Sequence, residues 1–453
     1  MSSTTAPVQQ RRALEQLKRG VFWNYGGLYF FYFAIWQLAF TFLPLWLKNE
    51  AGMGTTAIGL VSTVSAITAL VLQPVYGYLQ DRLGFKKYLF FFVVLCAAFM
   101  GPFFTFVFLP LSGVNEFLAA VVGGIFLSLC LNSGVGVVEA FNERASRANR
   151  FEYGHARLFG SLAGGTAALV GGFLWAANPS SIWWAGSVSA IVLGTLLFVA
   201  RVPHEGERAG AEADGGADAQ GGTKVSRATV VALLRDRNFL GFVVLMFGTA
   251  ALYDVFDQQF PNYFATFVTS GDAEVLFSRV VAVQIFAEAA FMVAAPFIVN
   301  KIGARKGLMV FAAVLLVRVL GSAFFTHEWL LIAWRLLAAI EMPFLLVSVM
   351  KYITRMFDVR ISATAYMLGF NFAKQIGVAI FASVFGFAYE GIGFSSAYVV
   401  MAVVIVVVTV VARMLMADDR TRLAPGEPAA GPGAAGPGET GPDEARRPEP
   451  AGV

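Results

Sequence analysis

The chain has 453 residues, of which 57% are hydrophobic and 14% charged, and its formal net charge is +4. A soluble globular domain carries roughly a quarter charged residues, so this composition excludes one and predicts a polytopic membrane protein. The small positive excess does not indicate a nucleic-acid partner, because the basic residues follow the membrane topology instead of forming one patch.

The first stretch, residues 1–20, is polar and leads into an apolar run too long for a signal-peptide core, so a retained first helix and no cleavable signal are expected. Runs near the length that spans hydrocarbon then recur to the end of the hydrophobic region. In chain order they are Val21 to Leu47, Thr55 to Leu79, Tyr88 to Leu111, Phe117 to Ala140, Leu158 to Ala177 and Ile182 to Ala200. After an interruption come Phe239 to Phe264, Val275 to Val299, Gly307 to Phe325, Trp329 to Met350, Ser362 to Tyr389 and Ser395 to Met416. Lys18 and Arg19 precede the first run. Further bases follow even-numbered runs: Arg82, Lys86 and Lys87; Arg144, Arg147 and Arg150; Lys301, Arg305 and Lys306; Arg355 and Arg360. By the positive-inside rule both termini are cytoplasmic.

The interruption, residues 202–236, is rich in Gly, Ala and charge and has too little apolar surface to fold, as does the tail, residues 417–453. The expected organisation is therefore an all-α membrane protein with two six-helix bundles, residues 21–201 and 237–416. "DRLGFKK" after the second run and "NKIGARK" after the eighth echo each other, so the bundles are pseudo-symmetric repeats, and two such repeats suggest a rocking transporter with its site between them near the midplane. Gly77, Asp81, Arg82 and Gly84, followed by Lys86 and Lys87, resemble the signature loop of the major facilitator superfamily. A glycine turn there sets an acid and several bases at the cytoplasmic rim, where ion pairs form and break as the halves rock. Membrane anchoring accounts equally well for Lys86 and Lys87. The glycines of "FGSLAGGTAALVGGFLW" fit close helix packing, and most Trp and Phe are expected to face lipid or the interfacial belt.

Ionisable groups at helix centres cost about 2.5–3.5 kcal/mol each, so they face a cavity, pair, or take part in transport. Glu139 and Arg157 make a compensating pair in the first half. The second half carries Asp254, Asp257, Glu288 and Glu341 against Arg318, Arg335 and Lys374, leaving one carboxylate without a full partner. A surplus carboxylate is what a proton carrier requires. Asp254 with Lys374 and Asp257 with Arg335 are expected as structural interhelical pairs. Glu341 is expected to carry the proton, since Pro343 frees the carbonyl of Ala339 and bends the helix beside it. A hydroxyl-rich substrate needs convergent donors and acceptors beside an apolar face. Glu139, Arg157, Glu288, Gln284, Tyr253 and Asn371 are candidates for the polar groups, and Trp36 for a ring that stacks on a sugar. His155, His204 and His327 fall at loops or helix ends, and Cys96 and Cys130 inside apolar runs. No metal-ligand spacing, nucleophile–base arrangement or phosphate-cradling loop is present, so neither a metal, a cofactor nor an enzymatic activity is expected.

Taken together, "YFFYF", "FLPLWL", "GVVEAF", "FEYGHARLFGS", "YDVFDQQF", "IEMPFLL", "KYITRMFDVRISAT" and "FAKQIG" resemble the oligosaccharide/proton symporters of the major facilitator superfamily, the lactose and sucrose permease group, from about Phe22 to Met416. The resemblance implies twelve helices and proton-coupled uptake of a di- or oligosaccharide into a bacterial cell across its cytoplasmic membrane. It implies that Glu139 and Arg157 bind sugar, that Arg318 and Glu341 move the proton, and that Tyr253 links the two sites. It also marks the Asp254–Lys374 and Asp257–Arg335 pairs, with Arg335 in place of the usual lysine. Ala338 stands where lactose permease has a histidine, Gly164 where it has a stacking tryptophan, and Ile285 where it has a glutamate. Glu288, one turn along, and Trp36 are similar to the sucrose-permease arrangement, which points away from a standard galactoside preference. The expected partners are a sugar, a proton and the lipid bilayer, with a monomer sufficient. A uniporter or exporter on the same fold is the alternative, and a membrane sugar sensor a remote one.

Overall fold

The computed structural model describes residues 20–83, 86–149, 153–200, 232–269, 271–357 and 359–419. The expected N-terminal segment, most of the 202–236 loop, Gly84 and all but the first residues of the tail lie outside them. The described residues are mostly helical, and no strand occurs among them. The first half comprises α1 (Gly20–Asn49), α2 (Thr55–Leu83), α3 (Tyr88–Ala98 and Met100–Val114, bent by 41°), α4 (Glu116–Ser146), α5 (Tyr153–Ala177) and α6 (Ser181–Val199). The second half holds α7 (Arg237–Ala265), α8 (Ala273–Ile302), α9 (Ala304–Phe324) and α10 (Glu328–Met356). A continuous 52-residue stretch, Thr364–Leu415, closes it. Such a stretch would be roughly 78 Å long if straight, more than twice the hydrocarbon thickness. Gly393, at φ +78°, turns the chain back, so the stretch is two spans, α11 (364–392) and α12 (394–415).

Twelve spans therefore match the twelve apolar runs, with ends that differ by a few residues. Polar caps explain part of the difference. The Asp236 carboxylate accepts the amides of Asn238 (2.7 Å) and Phe239 (3.0 Å) and starts α7 before its first apolar residue. Asn115 accepts the amide of Leu118 at 3.0 Å and does the same for α4.

With an even number of spans, the start of α1 and the end of α12 lie at one end of the bundle, called here the terminal end. The halves are joined at the opposite, far end. Thr55 Oγ1 donates to the Gly386 carbonyl (3.0 Å), Thr63 Oγ1 to the Ala379 carbonyl (3.0 Å), Gln259 to the Thr55 carbonyl (3.3 Å) and Asn49 to Glu274 (2.8 Å), while Thr56 bonds Glu390. α2 and α11 touch backbone to backbone: a Cβ on Gly59 would stand 2.3 Å from the Ala382 carbonyl oxygen, so only glycine permits this seam. All the cross-half hydrogen bonds found among the described residues lie in this part of the bundle.

The outward faces carry exposed Val71, Phe106, Phe198, Phe297 and Met414, as a lipid-facing surface requires. Three tryptophans depart from the expected belt. Trp46, Trp175 and Trp183 are buried inside the first half. The Trp183 ring stacks on Phe104 at 3.8 Å and Trp46 donates to Ser180 Oγ at 3.1 Å, so packing and a hydrogen bond replace the interface.

At the terminal end Lys87 donates to the carbonyls of Leu197 (2.7 Å), Phe198 (3.1 Å) and Ala200 (2.7 Å), closing the C-terminus of α6. Asp419, just past α12, accepts the backbone amides of Ala304 (2.8 Å) and Arg305 (3.0 Å) and the Arg355 guanidinium (2.7 Å). One buried carboxylate thereby holds the start of α9 and the end of α10 together. Burial works against its charge, but these donors outweigh burial and hold its carboxyl below the usual carboxylate range. A depressed value stabilises the fold above the unfolded value, near 4, and that contribution is lost as pH falls through the folded value. Asp419→Asn is expected to lower the melting temperature of the detergent-purified protein at pH 7 by several degrees. The gap between variant and wild type should shrink as the pH is taken below 4.

Candidate functional site

Tyr29, Phe33, Trp36 and Phe40 recur on one face of α1, and the first two form a cradle for a charge pair. Arg157 Nε, on the first turns of α5, donates to Glu139 Oε1 at 2.8 Å, and the Tyr29 hydroxyl donates to Glu139 Oε2 at 2.8 Å. The guanidinium lies over the Phe33 ring at 4.2 Å. Glu139 and Arg157 are thus together, as expected, and both remain partly exposed. Tyr29 and Phe33 are functional neighbours that composition did not single out. The recurrence of Tyr29, Phe33 and Trp36 at spacings of four and three was the available signal. Trp36 packs against Phe40 with centroids 4.6 Å apart. Gly164 leaves a smooth surface on α5, and a Cβ there would lie 3.5 Å from both Gln37 Oε1 and Ile285 Cγ2. The first and second halves meet here, at the level of Gln284 and Glu288 on α8.

The second half holds an almost wholly buried charge network. Arg318 Nε and Nη2 donate to the two oxygens of Glu341, each at 2.7 Å, and Nη1 donates to Asp257 Oδ1 at 2.6 Å. Arg335 Nη1 donates to the same Asp257 oxygen at 2.7 Å. The side chains of Arg318 and Glu341 are 0% exposed. Tyr253 and Phe256 present their rings to the Arg318 guanidinium at 5.2 and 4.7 Å. Lys374 donates to Asp254 at 2.8 Å. Both expected interhelical pairs are therefore present, but Asp257 serves two arginines, a sharing that one-to-one pairing from the sequence does not anticipate.

The same geometry keeps the charge count and changes which acid is left over. Two arginines and two carboxylates neutralise one another, Asp254 and Lys374 do likewise, and Glu341 is the most completely paired acid of the set. The carboxylate left over is Glu288, which makes no hydrogen bond or ion pair among the described residues. The helical pattern of α10 is interrupted at Leu337, whose amide bonds the Trp334 carbonyl three residues back (3.2 Å), between Arg335 and Glu341, and Pro343 sits inside the helix that follows.

Segments of π-helix precede the charged residues on three helices: Ser128–Asn132 before Glu139, Met246–Ala250 before Tyr253 and Asp254, and Met367–Phe372 before Lys374. One extra residue in a turn rotates the remainder of the helix by about 100°, which is how these side chains reach the interior. Asn371 sits within the last segment and makes no hydrogen bond among the described residues. At the terminal rim Asp81 pairs with Arg144 (2.5 Å), which also donates to the Gln80 carbonyl (2.9 Å). Arg82 lies over the Tyr78 ring, and Gly77 faces open space.

The sequence as a whole is similar to chains named as sugar permeases. The sequence model described as LacY proton/sugar symporter matches residues 14–425. A raffinose permease of Escherichia coli is 37% identical over 397 residues, 87% of this chain and 92% of that one. A melibiose permease of Enterobacter cloacae is 38% identical over 398 residues, again 87% of this chain and 92% of that one. Among solved structures, a nucleoside transporter superposes with a TM-score of 0.73 at 14% identity, covering 88% of this chain and 99% of that one, a likeness of fold alone.

Arg318→Ala leaves Glu341 buried without its counter-charge and should destabilise the protein by about 3–5 kcal/mol, whereas Arg318→Ala with Glu341→Ala leaves the neutral Asp257–Arg335 pair and should recover most of that loss. Thermal unfolding of the single and double variants in detergent measures both.

Proposed function

Since the chain belongs to the LacY proton/sugar symporter family, we propose that it carries a di- or oligosaccharide together with a proton into a bacterial cell by alternating access between its two halves. The protein sits in the cytoplasmic membrane as a monomer with both termini inside, so the terminal end opens to the cytoplasm and the sealed far end faces outward. No cofactor takes part beyond the proton itself.

Sugar binds at mid-depth between the halves. Arg157 and Glu139 offer a fork of donors and a carboxylate to vicinal hydroxyls, held in place by Tyr29 and Phe33. Trp36 supplies the apolar face that Gly164 lacks, while Gln284, Glu288 and Asn371 offer further polar contacts from the second half. Asp81 and Arg82, with Gly77 and Gly84, act at the rim that opens and closes. The observation that carries the proton assignment is the bidentate Arg318–Glu341 pair. In the state closed at the far end Glu341 is ionised and neutralised by Arg318. Taking up a proton removes its charge, releases the guanidinium to Asp257 alone, and frees α9 and α10 to move past each other. Tyr253, stacked on Arg318, connects that event with the sugar site. Asp254–Lys374 and Asp257–Arg335 hold the helices in register.

A lightly buffered suspension of cells expressing the protein, challenged in turn with sucrose, maltose, lactose, raffinose and melibiose, should turn alkaline with the transported sugar. Uptake without alkalinisation identifies a uniporter instead. Glu341→Gln should abolish uphill accumulation while leaving sugar exchange intact, and uphill uptake that survives the substitution removes Glu341 from the proton path.

A further inference from the structure

The terminal end of the second half gathers positive charge that neither the sugar site nor the buried network uses. Arg237 opens α7, Arg305 lies in the first turn of α9 and Arg413 in the last turn of α12. Arg237 Nη2 donates to the Met414 carbonyl at 2.9 Å and Arg305 Nη2 to the Arg413 carbonyl at 2.5 Å. Two guanidiniums are thus pinned on consecutive carbonyls of one helix end, and Arg413 brings a third. Its side chain is exposed and makes no hydrogen bond or ion pair among the described residues. Arg235 and Lys306 stand exposed beside them. The acids of this corner are Asp236, Asp418 and Asp419; Asp236 caps α7, and Asp419 is taken up by Arg355 and two amides of α9. Capping of α12 accounts for one N–H each of Arg237 and Arg305, but a guanidinium carries five donors, and Arg413 caps nothing.

An apolar wall adjoins these charges. Leu240, one turn into α7, is exposed, as are Val410 and Met414 on α12. The two helices pack tightly here, since a Cβ on Gly241 would meet Leu415 and Met416 at 2.8 Å. Cations at the rim of such a wall match a phospholipid, with its phosphate on the arginines and an acyl chain along the wall. A zwitterionic headgroup would bring its own ammonium into the same positive field, so the fit is to an anionic one.

We propose that the ends of α7, α9 and α12 form a binding site for an anionic phospholipid, with Arg237, Arg305 and Arg413 holding its phosphate. Bound there, the lipid braces the terminal ends of α7 and α9, the helices that carry Asp257 and Arg318. Its leaflet follows from the orientation proposed above, whereas binding does not depend on it.

Native mass spectrometry and thermal unfolding of the full-length protein in detergent, titrated with phosphatidylglycerol, cardiolipin or phosphatidylcholine, test the site. The two anionic lipids should be retained and raise the melting temperature, and phosphatidylcholine should do neither. Replacing each arginine by Gln should weaken phosphatidylglycerol binding by about fivefold. Arg413→Gln alone decides the matter if the other variants do not fold, because it removes no hydrogen bond found among the described residues. Arg147→Gln with Arg150→Gln, two bases that follow the fourth apolar run, should leave binding unchanged. Undiminished binding in Arg413→Gln overturns the proposal. An equal loss in the Arg147→Gln, Arg150→Gln control also overturns it, since binding would then follow net charge alone. Inorganic phosphate that displaces the lipid and stabilises the protein as well would make this a site for a free anion and overturn it too.

Discussion

A guanidinium with no access to water dominates the second half of this protein. Arg318 reaches Glu341 with two nitrogens and Asp257 with the third, and two aromatic rings cover its faces. In a low-dielectric interior such a cation is tolerable only if its neighbours neutralise it and fill its hydrogen bonds. Three helices are consequently tied to one point: α7 through Asp257, α9 through Arg318 and α10 through Glu341. Arg335 adds the second positive charge that makes the cluster neutral. Any change in the charge of Glu341 unbalances the set, so a single proton acquires leverage over helix positions.

The first half is built differently. Its one ion pair of membrane depth among the described residues, Glu139–Arg157, is partly exposed and backed by aromatic rings, as suits a pair that exchanges partners with a polar ligand. The proposed division of labour between the halves, with the open pair binding and the closed network responding to protons, follows this difference in burial. The seams at the far end, where Gly59 meets the Ala382 carbonyl and threonines of α2 bond α11, hold the halves together there. Motion that exchanges access must break those hydrogen bonds, each with a net worth of about 1 kcal/mol, so rocking is within reach of binding and protonation energies.

Much of this was legible in the chain itself. Long apolar runs are the strongest signal a sequence carries, so the twelve spans could be counted from it, and charged residues inside those runs were conspicuous enough to be expected in pairs. Three kinds of feature were not legible. Local π-helix rotates the residues after it, so a 3.6-residue period cannot say that Glu139, Asp254 and Lys374 face the interior. Sharing of one carboxylate by two arginines depends on the distance between α9 and α10, and it moved the unpaired acid from Glu341 to Glu288. Asp419, in a stretch that reads as the start of a structureless tail, is a buried anchor because its partners come from α9 and α10, more than 60 residues away.

Coupled movement of sugar and proton is the central claim, and it is tested most directly in sealed proteoliposomes holding only this protein, with an interior-negative potential imposed and the transported sugar added outside. Symport with an uncompensated proton predicts that the potential alone drives sugar to a higher concentration inside than outside, and that a proton ionophore abolishes the accumulation. Sugar that enters but stops at equal concentrations, whatever the potential, would contradict it.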